Sequence, residues 1–99
     1  VKNACIAHRG WSGRAPENTL AAIKKAIYHP AIDGIEIDVQ MSLDGVPVVI
    51  HDYTLERTTT GTGYVGSYTL TELKKLDAGT WFSSSFAGET IPTLEEVLS

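Results

Sequence analysis

Two histidines, two carboxylates and an arginine are the residues whose types and places suit chemistry. His8 and His51 each close a short apolar run, Ala4-Cys5-Ile6-Ala7 and Val46-Pro47-Val48-Val49-Ile50. Each is followed at once by a charged residue, Arg9 or Asp52. Between them lies GIEIDVQ, residues 34–40, in which Glu36 and Asp38 alternate with Ile35, Ile37 and Val39. Histidines exchange protons near neutral pH. Carboxylate oxygens are hard ligands that suit Ca2+ or Mg2+. An arginine, alone or with a cation, clamps a phosphoryl group. A zinc site would call for His or Cys ligands at a spacing this chain lacks. A Ser–His–Asp arrangement stays open, although no serine sits in a GxSxG turn.

Strict alternation in GIEIDVQ predicts a β-strand, because successive side chains leave opposite faces of the pleat. Ile35, Ile37 and Val39 then form a core face, and Glu36 and Asp38 share the other. Same-face neighbours lie about 6.5 Å apart along a strand. At an effective dielectric of ~20, two full charges at that distance repel by about 2.5 kcal/mol. Water, a basic partner or a metal must offset this. A solvated strand face is the bland explanation. The histidines that end two neighbouring strands favour a site, since loops after strand ends are where α/β enzymes place their active residues.

The elements that must position these residues follow from local pattern. Residues 3–7 read as a short buried strand ending at His8-Arg9-Gly10, with the lone Cys5 as a small buried residue. The spacing predicts a helix from about Glu17 to Tyr28, with Pro16 in its first turn. Leu20, Ile23 and Ile27 form its apolar face, and His29-Pro30 stops it. After the GIEIDVQ strand comes a turn at Leu43-Asp44-Gly45-Val46, then a strand over residues 46–50. If Asp44-Gly45 makes a two-residue hairpin, positions summing to 89 pair, and Asp38 faces His51. If the two strands are parallel instead, the seven residues between them must run back extended, spanning ~23 Å at most. Both arrangements are open. Beyond His51 the texture changes to the Thr- and Gly-rich RTTTGTGYVGSYT. Thr69…Glu72 and Thr93…Glu96 each match a capping box, so a helix over TELKKLD, ended by Gly79, and another from Thr93 are expected. Trp81, Phe82 and Phe86 are expected to be the small core of this segment.

Composition narrows the class. The chain has 99 residues, 42% hydrophobic and 20% charged, with a net charge of −4. That suits one modest globular domain. Scattered basic residues argue against a nucleic-acid surface or a polybasic membrane patch. No apolar run approaches the roughly 20 residues of a membrane span. No leader is visible, which points to the cytoplasm unless one has been removed. A single cysteine gives no disulfide framework. The order of elements reads as α/β. A barrel of eight βα units needs roughly 250 residues, so the chain reads as the N-terminal part of such a domain.

AHRGWSGRAPENTL, GIEIDVQMSLDGVPVVIHD, LERTTTGTGYV, LTELKKLDAGTWF and FAGETIPTLEEVL together resemble the glycerophosphodiester phosphodiesterases. The resemblance runs through nearly the whole chain in the family's order. It implies a TIM barrel with a small insertion after its early strands. Residues 1–52 and 91–99 would be the first βα units, and residues 53–90 the insertion. It implies hydrolysis of glycerophosphodiesters to glycerol 3-phosphate and an alcohol with a divalent metal, Ca2+ or Mg2+. Carried over by position, His8 and His51 would be the general acid and base. Arg9 would hold the phosphate, and Glu36 and Asp38 would bind the metal. A third carboxylate ligand and a nearby lysine come from a later strand in the family, which here would lie beyond Ser99.

Bland roles stand beside these. Arg9 pairs with Glu17 or Asp52 in one reading and with phosphate in the other. Glu17 and Asn18 either cap a helix or touch the site. Asp52 either orients a histidine or only shapes its turn. Two other functions are carried as alternatives: a catalytically incomplete or non-catalytic binding piece of the same half-barrel, and a phospholipase of the same broad barrel group. A half-barrel would also expose strand edges and apolar surface, so self-association is an expectation.

Overall fold

GIEIDVQ changes partner in its middle, and the architecture follows from that switch. In a computed structural model describing residues 6–99, β1 (Ile6–His8) is followed by α1 (Leu20–Ile27) and β2 (Gly34–Glu36). Next come β3 (Val39–Met41) and β4 (Pro47–Val49), then the short helices α2 (Leu70–Leu73) and α3 (Leu94–Leu98). β2 pairs in parallel with β1, placing Ile6 opposite Gly34, Ala7 opposite Ile35 and His8 opposite Glu36. β3 pairs antiparallel with β4. The expected single strand is therefore two strands in two sheets, with Ile37 and Asp38 at the junction. Its apolar members do not form a fully covered face, since Ile35 and Ile37 are half-buried and Val39 is 40% exposed. The expected strand over residues 3–7 is described only from Ile6 onward, and Cys5 lies outside the described residues.

The hairpin alternative is the one realised, with its register shifted by one. Val39 pairs with Val49, Gln40 with Val48 and Met41 with Pro47. Gly45 N–H donates to Ser42 C=O, and Ser42 N–H donates to Val46 C=O. The loop is thus three residues long, 43–45, rather than two. Ile50 N–H accordingly donates to Asp38 C=O. Asp38 is opposite Ile50, not His51, because a one-residue slip reassigns every partner.

Helix α1 begins three residues later than expected. Thr19 is its N-cap, and its hydroxyl accepts from Ala22 N–H. The cause is Asn18, whose φ of 57° is left-handed and cannot sit inside an α-helix. Pro16 instead supports the turn before the cap, where its carbonyl accepts from the Thr19 hydroxyl at 2.7 Å. The buried face is Ala22, Ile23 and Ala26 rather than Leu20, Ile23 and Ile27, and Ile27 is 56% exposed. Small residues are needed there because the loop after β1 lies directly on the helix. A Cβ on Gly10 would come within 2.8 Å of the Ala22 carbonyl carbon.

The main core joins β4 to the segment that follows it: Val48, Ile50, Leu55, Val65, Leu73, Ala78 and Ile91, flanked by Tyr68, Leu70 and Leu76. Trp81, Phe82 and Phe86 are not that core. They stack edge to face at 5.7 Å on the rim, with Trp81 40% exposed. Both expected capping boxes form, with Thr69 and Glu72 opening α2 and Thr93 and Glu96 opening α3. α2 is shorter than TELKKLD and stops at Leu73, before Gly79 is reached. Gly79 serves a close approach instead, since a Cβ there would overlap the Phe86 carbonyl oxygen. Asp77 holds this region together by accepting from the backbone N–H groups of Gly79, Thr80 and Gly88.

Candidate active site

Every candidate residue sits at the end of a strand or in the loop that follows. His8 ends β1 and Arg9 begins the next turn, in a left-handed conformation with φ 59°. That conformation carries the Arg9 carbonyl to Asn18 N–H, which donates to it at 2.8 Å. Glu36 ends β2, Asp38 lies in the junction, and His51-Asp52 follows β4. An open groove is lined by Ile37, Asp38, Val39, Gln40, His51, Asp52, Tyr53 and Thr54. Asp38 and His51 therefore share one surface although they are not register partners.

The two carboxylates of GIEIDVQ are each matched to a different partner. Glu36 Oε1 lies 2.8 Å from His8 Nε2, a pair with both side chains more than half exposed. Asn18 Nδ2–H donates to Asp38 Oδ2 at 3.0 Å, and Asp38 N–H donates back to Asn18 Oδ1 at 3.4 Å. Arg9 Nε lies 3.4 Å from the same Oδ2. Asp38 thus has a guanidinium and an amide beside it, and Glu36 has an imidazole. Among the described residues, no group of three or more His, Cys, Asp or Glu stands close enough to hold a metal ion.

Arg9 is buried at its root and loosely held. Its Nη1 reaches both Glu17 oxygens, at 3.3 and 3.4 Å, beyond the usual range for a charge-assisted bond. Its Nε is buried and makes no hydrogen bond among the described residues, since its approach to Asp38 is an ion-pair distance without hydrogen-bond geometry. A buried guanidinium N–H without an acceptor is uncommon.

His51 is oriented. Its Nδ1 lies 2.7 Å from Asp52 Oδ1. Arg57, and then His51, hold the Asp52 carboxyl down at about 2. An ionised carboxylate only accepts, so Nδ1 carries the hydrogen in this pair. Of the two readings of Asp52, the structure has it contacting the histidine. Glu17 touches Arg9, so it is more than a helix-end residue. Burial raises its pKa, but Arg57 and Arg9 outweigh burial and the net shift is downward.

One site residue lay outside the expected set, and one of two open readings of another is settled. Arg57 donates from Nε and Nη2 to Asp52, and from Nη1 and Nη2 to Glu17, all at 2.8–3.0 Å. It lies in LERTTTGTG, where no local pattern distinguishes it from a solvated arginine. Of the two readings of Asn18, cap or site contact, the structure has the second: it is 2% exposed and bonds Asp38, while Thr19 is the N-cap. His29, remote from this cluster, packs against Trp11 with ring centroids 4.5 Å apart.

Comparison with known proteins bears on this arrangement. The sequence model of the glycerophosphoryl diester phosphodiesterase family matches residues 8–99. The chain is 59% identical over 97 residues to a glycerophosphodiester phosphodiesterase of Caldanaerobacter subterraneus subsp. tengcongensis, covering 98% of this chain and 40% of that protein. It superimposes on a glycerophosphodiester phosphodiesterase from Agrobacterium tumefaciens with a TM-score of 0.93 and 47% identity, over 98% of this chain and 42% of that one. A phosphodiesterase from Oleispira antarctica, in complex with the product sn-glycerol-3-phosphate, matches with a TM-score of 0.87 and 49% identity, over 96% of this chain and 38% of that one. The chain thus spans about 40% of the length of these relatives. In fold it is an N-terminal portion of their TIM barrel. Among the described residues no helix is long and apolar enough to cross a membrane.

Proposed function

The chain belongs to the glycerophosphoryl diester phosphodiesterase family, and from that premise we propose that the natural protein hydrolyses glycerophosphodiesters to glycerol 3-phosphate and an alcohol. The observation that carries the reading is that Asp38 and His51 line one groove with Asp52, and that Arg9 lies beside Asp38. The relative from Oleispira antarctica, with glycerol 3-phosphate bound, supports the same substrate class.

Each residue has a distinct task in this reading. Arg9, whose side chain is partly exposed beside Asp38, offers the outer nitrogens of its guanidinium to the phosphoryl oxygens. The Nδ1 of His51 is held on Asp52, so Nε2 is the atom that takes or gives a proton. His8 meets Glu36 through Nε2 and supplies the second proton-exchanging imidazole. Hydrolysis needs two such groups. One proton leaves the attacking oxygen as the new P–O bond forms, one reaches the departing alcohol oxygen as the old bond breaks, and water supplies the oxygen that ends on the phosphate.

Glu36 and Asp38 fit a divalent cation such as Ca2+ or Mg2+. Both are hard oxygen donors. Glu36 is more than half exposed, and the contacts on Asp38 described above fall on Oδ2. Two carboxylates fill only part of a six- to eight-ligand calcium shell, so further ligands are required. When bound, the cation would neutralise charge on the phosphoryl group.

The test is release of glycerol 3-phosphate by the natural protein and by its H8A and H51A variants, with folding followed by circular dichroism. Either substitution is expected to lower turnover about 10²–10⁴-fold with the fold intact. Cation binding without any turnover by the unmodified protein would favour the non-catalytic reading instead.

A further inference from the structure

Arg57 does not itself line the groove, yet it holds Asp52, which does, and Glu17, which meets Arg9. Its fork is shared between Asp52 and Glu17, with four donor–acceptor distances of 2.8–3.0 Å. Asp52 accepts from His51 Nδ1, and Glu17 accepts from Arg9 Nη1. One guanidinium thus stands one residue away from both the proton-exchanging histidine and the phosphate-facing arginine. We propose that Arg57 is a positioning residue for the phosphodiesterase reaction, clamping Asp52 and Glu17 so that His51 keeps its Nδ1–H tautomer and Arg9 keeps its orientation.

The geometry argues for a device beyond an ordinary surface ion pair. The Glu17 side chain is only 9% exposed and lies between two guanidinium groups. A carboxylate so placed needs its partners, because removing one leaves a poorly solvated charge. Lysine cannot substitute, since a point charge does not present a planar fork to two carboxylates. Arg57 itself is nearly half exposed, so its loss opens no core cavity. Its charge is held in place from both sides, as Glu17 and Asp52 raise its pKa further. Arg57 also lies in the segment after β4, which links that segment to the loops after β1 and β4.

The proposal rests on the phosphodiesterase reading, and its test has an arm that does not. R57A and R57K would be made in the natural protein. Steady-state kinetics on a glycerophosphodiester would be joined to nitrogen-15 NMR of the His51 ring. In both variants kcat is expected to fall about 10²-fold, the cost of misplacing a reacting group by about 1 Å. The substrate KM should stay within a few-fold, and the His51 Nδ1–H resonance should broaden or vanish. Full kcat in R57A would overturn the proposal. So would an unchanged His51 resonance in R57K, the variant less prone to perturb folding. If the unmodified protein turns over no glycerophosphodiester, the functional reading falls, and the His51 resonance alone decides whether the clamp exists.

Discussion

His8 and Glu36 are register partners across the parallel β1–β2 pair, and their side chains meet with Nε2 2.8 Å from Oε1. A proton-exchanging group and a candidate cation ligand therefore share one contact. A cation on Oε1 would crowd the imidazole, whereas Oε2 carries no contact from it. If Glu36 holds the proposed cation, His8 is expected to compete with it rather than to support it.

That relationship separates two roles that a simple loss of activity would confuse. H8A should lower turnover about 10²–10⁴-fold while Ca2+ and Mg2+ bind as tightly as before, or more tightly. Calorimetric titration of the variant with each ion checks this. A matching loss of cation affinity would make His8 part of the cation's site.

R9K keeps a positive charge and loses the fork. Glu17 remains paired with Arg57, so the fold should persist. The ratio kcat/KM is expected to fall about 10²-fold. Unchanged kinetics would return Arg9 to the role of a simple partner of Glu17.

Asn18 combines a left-handed backbone with a side-chain bond to Asp38, and two substitutions tell these apart. N18G tolerates the backbone and N18A does not, at a cost of about 1–2 kcal/mol. Both lose the support of Asp38, so both should weaken cation binding about 10–100-fold. Thermal melts should show a larger drop for N18A than for N18G. Equal melts would mean that the backbone conformation is unstrained for alanine.

Acid stability should follow the paired carboxylates. Arg57 and His51 hold Asp52 near 2, below its ordinary 3.8. Backbone N–H groups of Gly88, Thr80 and Gly79 hold Asp77 still lower. A depressed folded-state pKa contributes stability that is complete above the unfolded value and is lost as pH falls through the folded one. Tm should therefore be flat between pH 7 and 5 with respect to these groups and should fall from about pH 4 toward pH 2. D52N and D77N should each flatten that fall. Melting curves across the range check it, and an unchanged slope in both variants would mean that other carboxylates dominate.

Much of this molecule was legible from short stretches. The two capping boxes form because each needs only four consecutive residues, Thr69 to Glu72 and Thr93 to Glu96. His8, Glu36 and His51 fall at or just after strand ends, because an apolar run that meets polar residues marks the edge of a sheet. Their types, with those of Arg9 and Asp38, raised the expectations of proton exchange, phosphate binding and hard-cation ligation on which the proposed function rests. What stayed hidden was pairing. GIEIDVQ alternates without a flaw, yet nothing within it shows that Gly34–Glu36 would join β1 and Val39–Met41 would join β4. The hairpin register slipped by one because a three-residue loop and a two-residue loop are near equals over Leu43-Asp44-Gly45. Asn18 meets Asp38 from 20 residues away, and Arg57 meets Glu17 from 40. Local propensity carries no information about contacts closed over such loops. They are decided when the β1 loop, the β2–β3 junction and the segment after β4 pack together, so the sequence determined which groups are present and the tertiary structure decided which of them hold one another.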